Sequence, residues 1–241
     1  MNMRIFLVLS LLFTIATASI AQPKMDSFDL HVASLRILED RQVQAEIGVS
    51  TTQRAMMDQF ANKYNSDLKA YAEQLKKQGK DPAKMTGPDE KMLGMLAKLK
   101  QNVMGVLSAG QLKRLREISL QAYALNGLMD SVVAKRVGIS EAQLKTMRAA
   151  FEQGSKKAND MVQKAITGVN AEFKNAAPKT DADKKATLAA YEQKSKAAMS
   201  KVEPDVQKVR ETTRQKILGM ITAKQKAAFL ALQGKPFKPK K

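Results

Sequence analysis

Few residues of this chain have the types and spacing that catalysis needs. Ser66-Asp67-Leu68-Lys69 is an S-x-x-K string, the arrangement in which a lysine sits one helical turn from a nucleophilic serine. It falls inside a predicted helix. Penicillin-recognising enzymes place that serine at a helix start and add S-D-N and K-T-G elements, none of which occurs here. Met92-Leu93-Gly94-Met95 spaces two thioethers as soft Cu(I) accepts them. His31 is the single histidine and cysteine is absent, so the several nitrogen or sulfur ligands of a zinc-type site are missing. There is no G-x-x-x-x-G-K-[ST] phosphate loop either. The expectation is a protein that is not an enzyme, with no cofactor and no metal; copper-responsive binding is the alternative class.

The remaining chemistry is that of binding, and composition says to what. Met1 to Ala21 has Arg4 in a short leading region, an apolar run from Ile5 to Ala16, and small residues before Gln22. This pattern predicts a signal peptide cut after Ala21, and the run is shorter than the roughly 20 residues of a spanning helix. A periplasmic location is expected. Removing residues 1–21 takes one Arg from 41 basic residues and nothing from 23 acidic ones, so the net charge falls from +18 to +17. Such a surface favours anionic partners: unfolded or acidic polypeptides, or an anionic envelope surface. Export argues against nucleic acid.

The elements that position these residues are helical. Aromatic residues make up 5% of the chain and Trp is absent, while Ala, Lys, Gln, Met and Leu dominate, which favours long helices. Four times an aliphatic residue precedes Ser or Thr with Gln three places on. These motifs are Val49-Ser50-Thr51-Thr52-Gln53, Leu107-Ser108-Ala109-Gly110-Gln111, Ile139-Ser140-Glu141-Ala142-Gln143 and Ile221-Thr222-Ala223-Lys224-Gln225. Each reads as a capping box, in which the hydroxyl accepts the N3 amide and the Gln side chain returns to the N-cap amide. In the second and third, Leu112 and Leu144 can complete a hydrophobic staple.

The motifs sit in a duplication. Residues 35–57 match 125–147 at a constant offset of 90, through Leu35/Leu125, Leu38/Leu128, Asp40/Asp130, Val43/Val133, Gly48/Gly138, Ser50/Ser140, Gln53/Gln143 and Met57/Met147. The closing motifs, Ser108 and Thr222, are offset by 114, so the second copy's hairpin is predicted to be longer by 24 residues. Apolar residues at 3 and 4 spacings mark one face: Met57, Phe60, Tyr64, Leu68, Tyr71 and Leu75 in the first copy, and Leu144, Met147, Phe151, Ala158, Ala165 and Val169 in the second. The second return arm continues with Leu188, Tyr191, Met199, Val202, Val206, Val209, Ile217 and Met220. Hairpin tips are expected at Gly79–Pro88 and at Ala177–Asp181, a kink or short break at Pro204, and a frayed basic tail over 234–241. The fold class is therefore all-α, with long antiparallel hairpins in two tandem units (27–124 and 125–233) forming a thin, curved or elongated bundle.

Export signal, all-helical pattern and repeated Ser/Thr-x-x-Gln starts together resemble the LTxxQ family of periplasmic proteins, the Spy-like and CpxP-like proteins. None of the four sites reads Leu-Thr; Leu107 supplies the leucine once and Thr222 the threonine once. The resemblance implies a Spy-like cradle that holds unfolded clients without ATP, here with one chain supplying both halves as a pseudo-dimeric monomer, or else a homodimer. On that reading the candidate client contacts are Met56, Met92, Met95, Lys76, Lys77, Lys98 and Lys100, the methionines for their adaptable side chains and the lysines for long-range attraction. The capping residues Ser50, Gln53, Ser108, Gln111, Ser140, Gln143, Thr222 and Gln225 are architectural. Ordinary core packing is the competing reading for each Met. A Skp-like basic coiled-coil chaperone or spacer is a further alternative, disfavoured because no alternating strand pattern follows the export signal.

Overall fold

A computed structural model describes residues 26–85, 87–174 and 180–239. Among these residues the protein is entirely helical: α1 (Ser27–Val32), α2 (Leu35–Leu38), α3 (Arg41–Glu46), α4 (Thr51–Lys77), a 3-10 turn at Pro82–Lys84, α5 (Glu90–Gly105), α6 (Ala109–Leu128), α7 (Ser131–Arg136), α8 (Glu141–Phe173), α9 (Asp181–Leu218) and α10 (Ala223–Gln233). Every α-helix among them starts on an Asp, Ser or Thr whose side chain accepts a first-turn amide. Each such cap contributes about 1 kcal/mol, which matters most for the four- and six-residue helices that cannot sustain themselves.

The sequence repeat is a repeat of local devices. Asp40 and Asp130 cap α3 and α7. Gly48 (φ 67°) and Gly138 (φ 79°) end those helices in the left-handed region that glycine enters without Cβ strain, and Val49 and Ile139 then donate back to Gln44 and Ala134. Ser50 and Ser140 start the long arms α4 and α8. The second hairpin is indeed the longer, with arms of 33 and 38 residues against 27 and 16.

α4 packs on α5 and α8 on α9, while α6 lies against α1, α2, α7 and α10. Two cores result. One gathers Leu38, Val43, Met57, Met104, Leu112 and Leu115; the other gathers Leu128, Val133, Leu144, Met147, Ile217 and Phe229. α6 feeds both, giving Leu112, Leu115 and Ile118 to the first and Leu120 and Leu128 to the second. Within it Ala124 has φ 38° and ψ −109°, so the helix breaks where one sequence copy passes into the next. At the offset of 90, α1 corresponds to residues 117–122 of α6, with Leu30 matching Leu120. α6 thus closes the first copy against α1 and stands in α1's place for the second, where α10 closes against it.

Three expectations are corrected. α9 runs unbroken through Pro204. The missing amide leaves the Ser200 carbonyl without its helical donor, yet the close packing of α9 along α8, with Val206 fully buried, keeps the helix from opening into a break. Leu188 does not join the buried stripe: it is 58% exposed, because Thr187, Ala190 and Tyr191 face inward at that end. Tyr191 fixes this register by donating to Asn170 at 2.8 Å and meeting Phe173 edge-on at 5.5 Å. The tail is not frayed over 234–239. Gly234 turns it back at φ 61°, where a Cβ would lie 2.2 Å from a Glu117 carboxylate oxygen. Arg114 and Gln121 then donate to the Lys235 carbonyl at 2.7 Å, the Phe237 amide donates to Gln121 at 2.7 Å, and the Phe237 ring packs on the first core. The first tip falls at 78–89 as expected; most of the second, 175–179, and the expected signal peptide lie outside the described residues.

Candidate functional site

The four motif glutamines meet in two pairs, an arrangement their own spacing does not reveal. In the first copy Gln53 Oε1 accepts from the Ser50 amide at 3.0 Å, while Gln53 Nε2 donates to Gln111 Oε1 at 2.7 Å and to the Val106 carbonyl at 2.7 Å. Gln111 answers with the same set: Oε1 accepts from Ser108, and Nε2 donates to Gln53 Oε1 at 3.0 Å and to the Gly48 carbonyl at 2.8 Å. In the second copy Gln143 and Gln225 exchange amide bonds at 3.0 Å and reach the Met220 and Gly138 carbonyls. One difference exists: Ser140 accepts from the Gln143 amide at 3.2 Å, but the reciprocal bond is absent, so this cap is a half box. Each knot ties the start of the outgoing hairpin arm to the start of the closing helix. The glutamine amides are taken up by one another and by backbone carbonyls, which leaves their Nε2 donors nothing to offer a ligand.

The exposed chemistry lies elsewhere. A groove of about 780 Å³ opens between the α1–α2 segment and the α4–α5 hairpin. Leu35, Ala61 and Tyr64 line it together with Leu93, Leu96 and Leu99 from α5. Leu93 is 51% exposed and Leu96 44%, one turn apart on a helix whose inner face is already packed. Arg36, Lys100 and Glu39 supply its charges. Burial holds the Lys100 ammonium below its usual range, opposed by Asp130; its Nζ donates to the His31 carbonyl at 2.7 Å.

The candidate contact residues are spread over the hairpin. Lys100 lines the groove. Met95 and Lys98 border a smaller cleft with Phe60, Tyr64 and Leu99. Met92 is half-buried in the α4–α5 hairpin and Met56 is 41% exposed near the start of α4. Lys76 and Lys77 stand exposed at the end of α4, and Lys76 pairs with Glu73 at 2.9 Å, a hydrogen bond that raises its pKa. Met57, Met104 and Met147, by contrast, are core residues. Leu93 and Leu96 were not singled out from sequence as contacts. The available signal was that they fall between the 3 and 4 spacings of the α5 inner face, Met92, Met95, Leu99 and Val103.

Ser66 is exposed inside α4, and among the described residues no three His, Cys, Asp or Glu side chains gather as metal ligands do. No helix among the described residues is long and apolar enough to cross a membrane. At the tip of the first hairpin Tyr71 donates to Asp89 at 2.5 Å, which lowers the Asp89 pKa and raises that of the phenol; Asp89 also caps α5, and Lys91 lies 4.2 Å from the Tyr71 ring centroid. These contacts fix the turn geometry.

The fold and surface define an all-helical hairpin protein with an open apolar groove and a strongly basic surface. No protein-family model, no curated protein and no solved structure matches the chain.

Proposed function

We propose that this protein is a periplasmic, ATP-independent holdase of the LTxxQ class, which binds unfolded or acidic polypeptides on a basic, partly apolar helical surface. One observation carries the reading: on a chain of net charge +18, an open groove displays Leu93 and Leu96 to solvent instead of covering them. Solvent-exposed apolar area beside lysines captures a client in two stages, charge drawing it in and apolar contact holding it weakly enough for release. The pairing of the Ser/Thr-x-x-Gln motifs into glutamine knots supports family membership, since it gives the motif a purpose that a generic cap lacks. With α6 serving both copies, the chain acts as a monomer, although an anionic envelope surface competes for the same lysines.

The test is aggregation of a chemically denatured acidic client, followed by light scattering without ATP at about 50 mM and about 500 mM salt. Suppression at low salt that weakens at high salt is expected, because the screening length shortens from roughly 14 to 4 Å. Absence of suppression at both salts ends the holdase reading.

A further inference from the structure

The two copies are not equivalent in what they expose. The offset of 90 relates α4 to α8, and the offset of 114 relates α5 to the later part of α9. The latter register is fixed structurally by Gln53 reaching the Val106 carbonyl where Gln143 reaches that of Met220, and by the buried pair Val103 and Ile217. On the outward face of the return arm the first copy has Leu93, Leu96 and Lys100; the second has Gln207, Arg210 and Arg214 at the matching positions. On the outgoing arm Tyr64, which lines the groove, corresponds to Gly154. A Cβ on Gly154 would stand 2.1 Å from the Thr213 hydroxyl, so α8 and α9 touch where the first copy carries a tyrosine and Leu99. The second copy's own cleft, lined by Ala150, Lys157, Met161, Lys208 and Val209, is the counterpart of the smaller Phe60, Met95 and Lys98 cleft, so among the described residues the second copy has no such cleft at the positions that match Leu93 and Leu96.

We infer that the client grip resides in the first copy alone, and that its occupant is an acidic polypeptide segment carrying leucine- or phenylalanine-class side chains, one segment per chain. The inference rests on the holdase reading and assigns its site. Charge selects the occupant. Lys100 on α5 and Arg36 on the facing wall line the groove, and Glu39 is the single acid among its lining residues. A second copy of this chain is a poor occupant, since its net charge of +18 repels the same wall. The groove's volume is on the scale of ordinary ligand sites of about 300–1,000 Å³.

The experiment gives the first copy the second copy's residues: Leu93→Gln with Leu96→Arg. Binding of a fluorescein-labelled, about 20-residue peptide rich in Leu and Glu is read by anisotropy, alongside aggregation suppression by the same proteins. Leu188→Gln, at the most exposed leucine of the second hairpin, is the control. All three positions are solvent-exposed, and circular dichroism with the melting midpoint verifies folding. The expected result is one peptide per wild-type chain, affinity at least tenfold weaker in the double variant (about 1.4 kcal/mol) and unchanged in the control. Unchanged affinity in the double variant, an equal loss in the control, or two peptides per chain overturns the inference. If the double variant still suppresses aggregation in full, the grip lies elsewhere while the holdase reading stands; if the wild type suppresses nothing, the holdase reading fails whatever the peptide does. A concentration-dependent dimer dissolved by Leu93→Gln with Leu96→Arg makes the groove a self-interface and also overturns the inference.

Discussion

A glutamine at N3 of a capping box ordinarily serves one helix, and here each serves two. Replacing Gln53 by Glu removes both amide donors, leaving the Val106 carbonyl unpaired and setting a carboxylate against Gln111 Oε1. At about 1 kcal/mol per lost bond in a half-buried site, urea unfolding should show roughly 2–3 kcal/mol of destabilisation. Gln111→Glu should cost a similar amount alone and clearly more in the Gln53→Glu background, because two carboxylates then face each other where the amides exchanged bonds; strictly additive losses would deny the knot. Asp130 tests a charge at the same scale. Burial opposes its ionisation, but the hydrogen bond from His31 at 3.0 Å and the Val133 amide outweigh it and lower its pKa. A carboxyl depressed in the folded state adds stability above its unfolded pKa of about 3.9 and loses it as the pH falls through the folded value. Between pH 5 and pH 3 the urea midpoint of wild type should therefore fall more than that of Asp130→Asn, the difference being about 1 kcal/mol or less because the side chain is 37% exposed and faces only His31 and Lys100.

At the scale of elements, α6 and the tail decide how the copies are joined. Arg116, almost fully buried, bridges α1 and α10 by pairing with Asp29 at 2.9 Å and donating to the Leu232 carbonyl. Removing one partner of such a pair leaves the other buried and uncompensated, so Asp29→Ala should cost about 3–5 kcal/mol, read as a lower chemical-denaturation midpoint. The tail acts at the opposite end of the chain. Phe237→Ala withdraws an aromatic ring from the first core and should cost about 1–3 kcal/mol; with a frayed tail the same change would be silent. Sequence periodicity could not supply this contact, since a lysine- and proline-rich run reads as solvated until a distant core presents a place for its one aromatic residue. Leu188 misled for the converse reason: a stripe counted at 3 and 4 spacings drifts by one position in so long a helix unless a specific contact, here Tyr191 with Asn170 and Phe173, resets it.

At the scale of the molecule, the second hairpin is long and packs chiefly on itself, while the first is short and flanks the open groove. Salt dependence belongs here, because the +18 charge is a property of the whole surface and no single lysine carries it. A single client segment per chain, despite the duplication, is the corresponding stoichiometric expectation.

By itself the sequence determined the helical class, the caps, the offsets of 90 and 114 and the unequal hairpins, because capping, turn glycines and apolar periodicity act within a few residues and leave their pattern in the chain. The tertiary structure alone decided that the glutamines pair, that α6 is shared, that the tail is bound, and that Leu93 and Leu96 stay uncovered while Met57, Met104 and Met147 are enclosed. Each of these depends on which surfaces distant segments bring together. A side chain's type states what it is able to bind, and only its neighbours in space leave it free to do so.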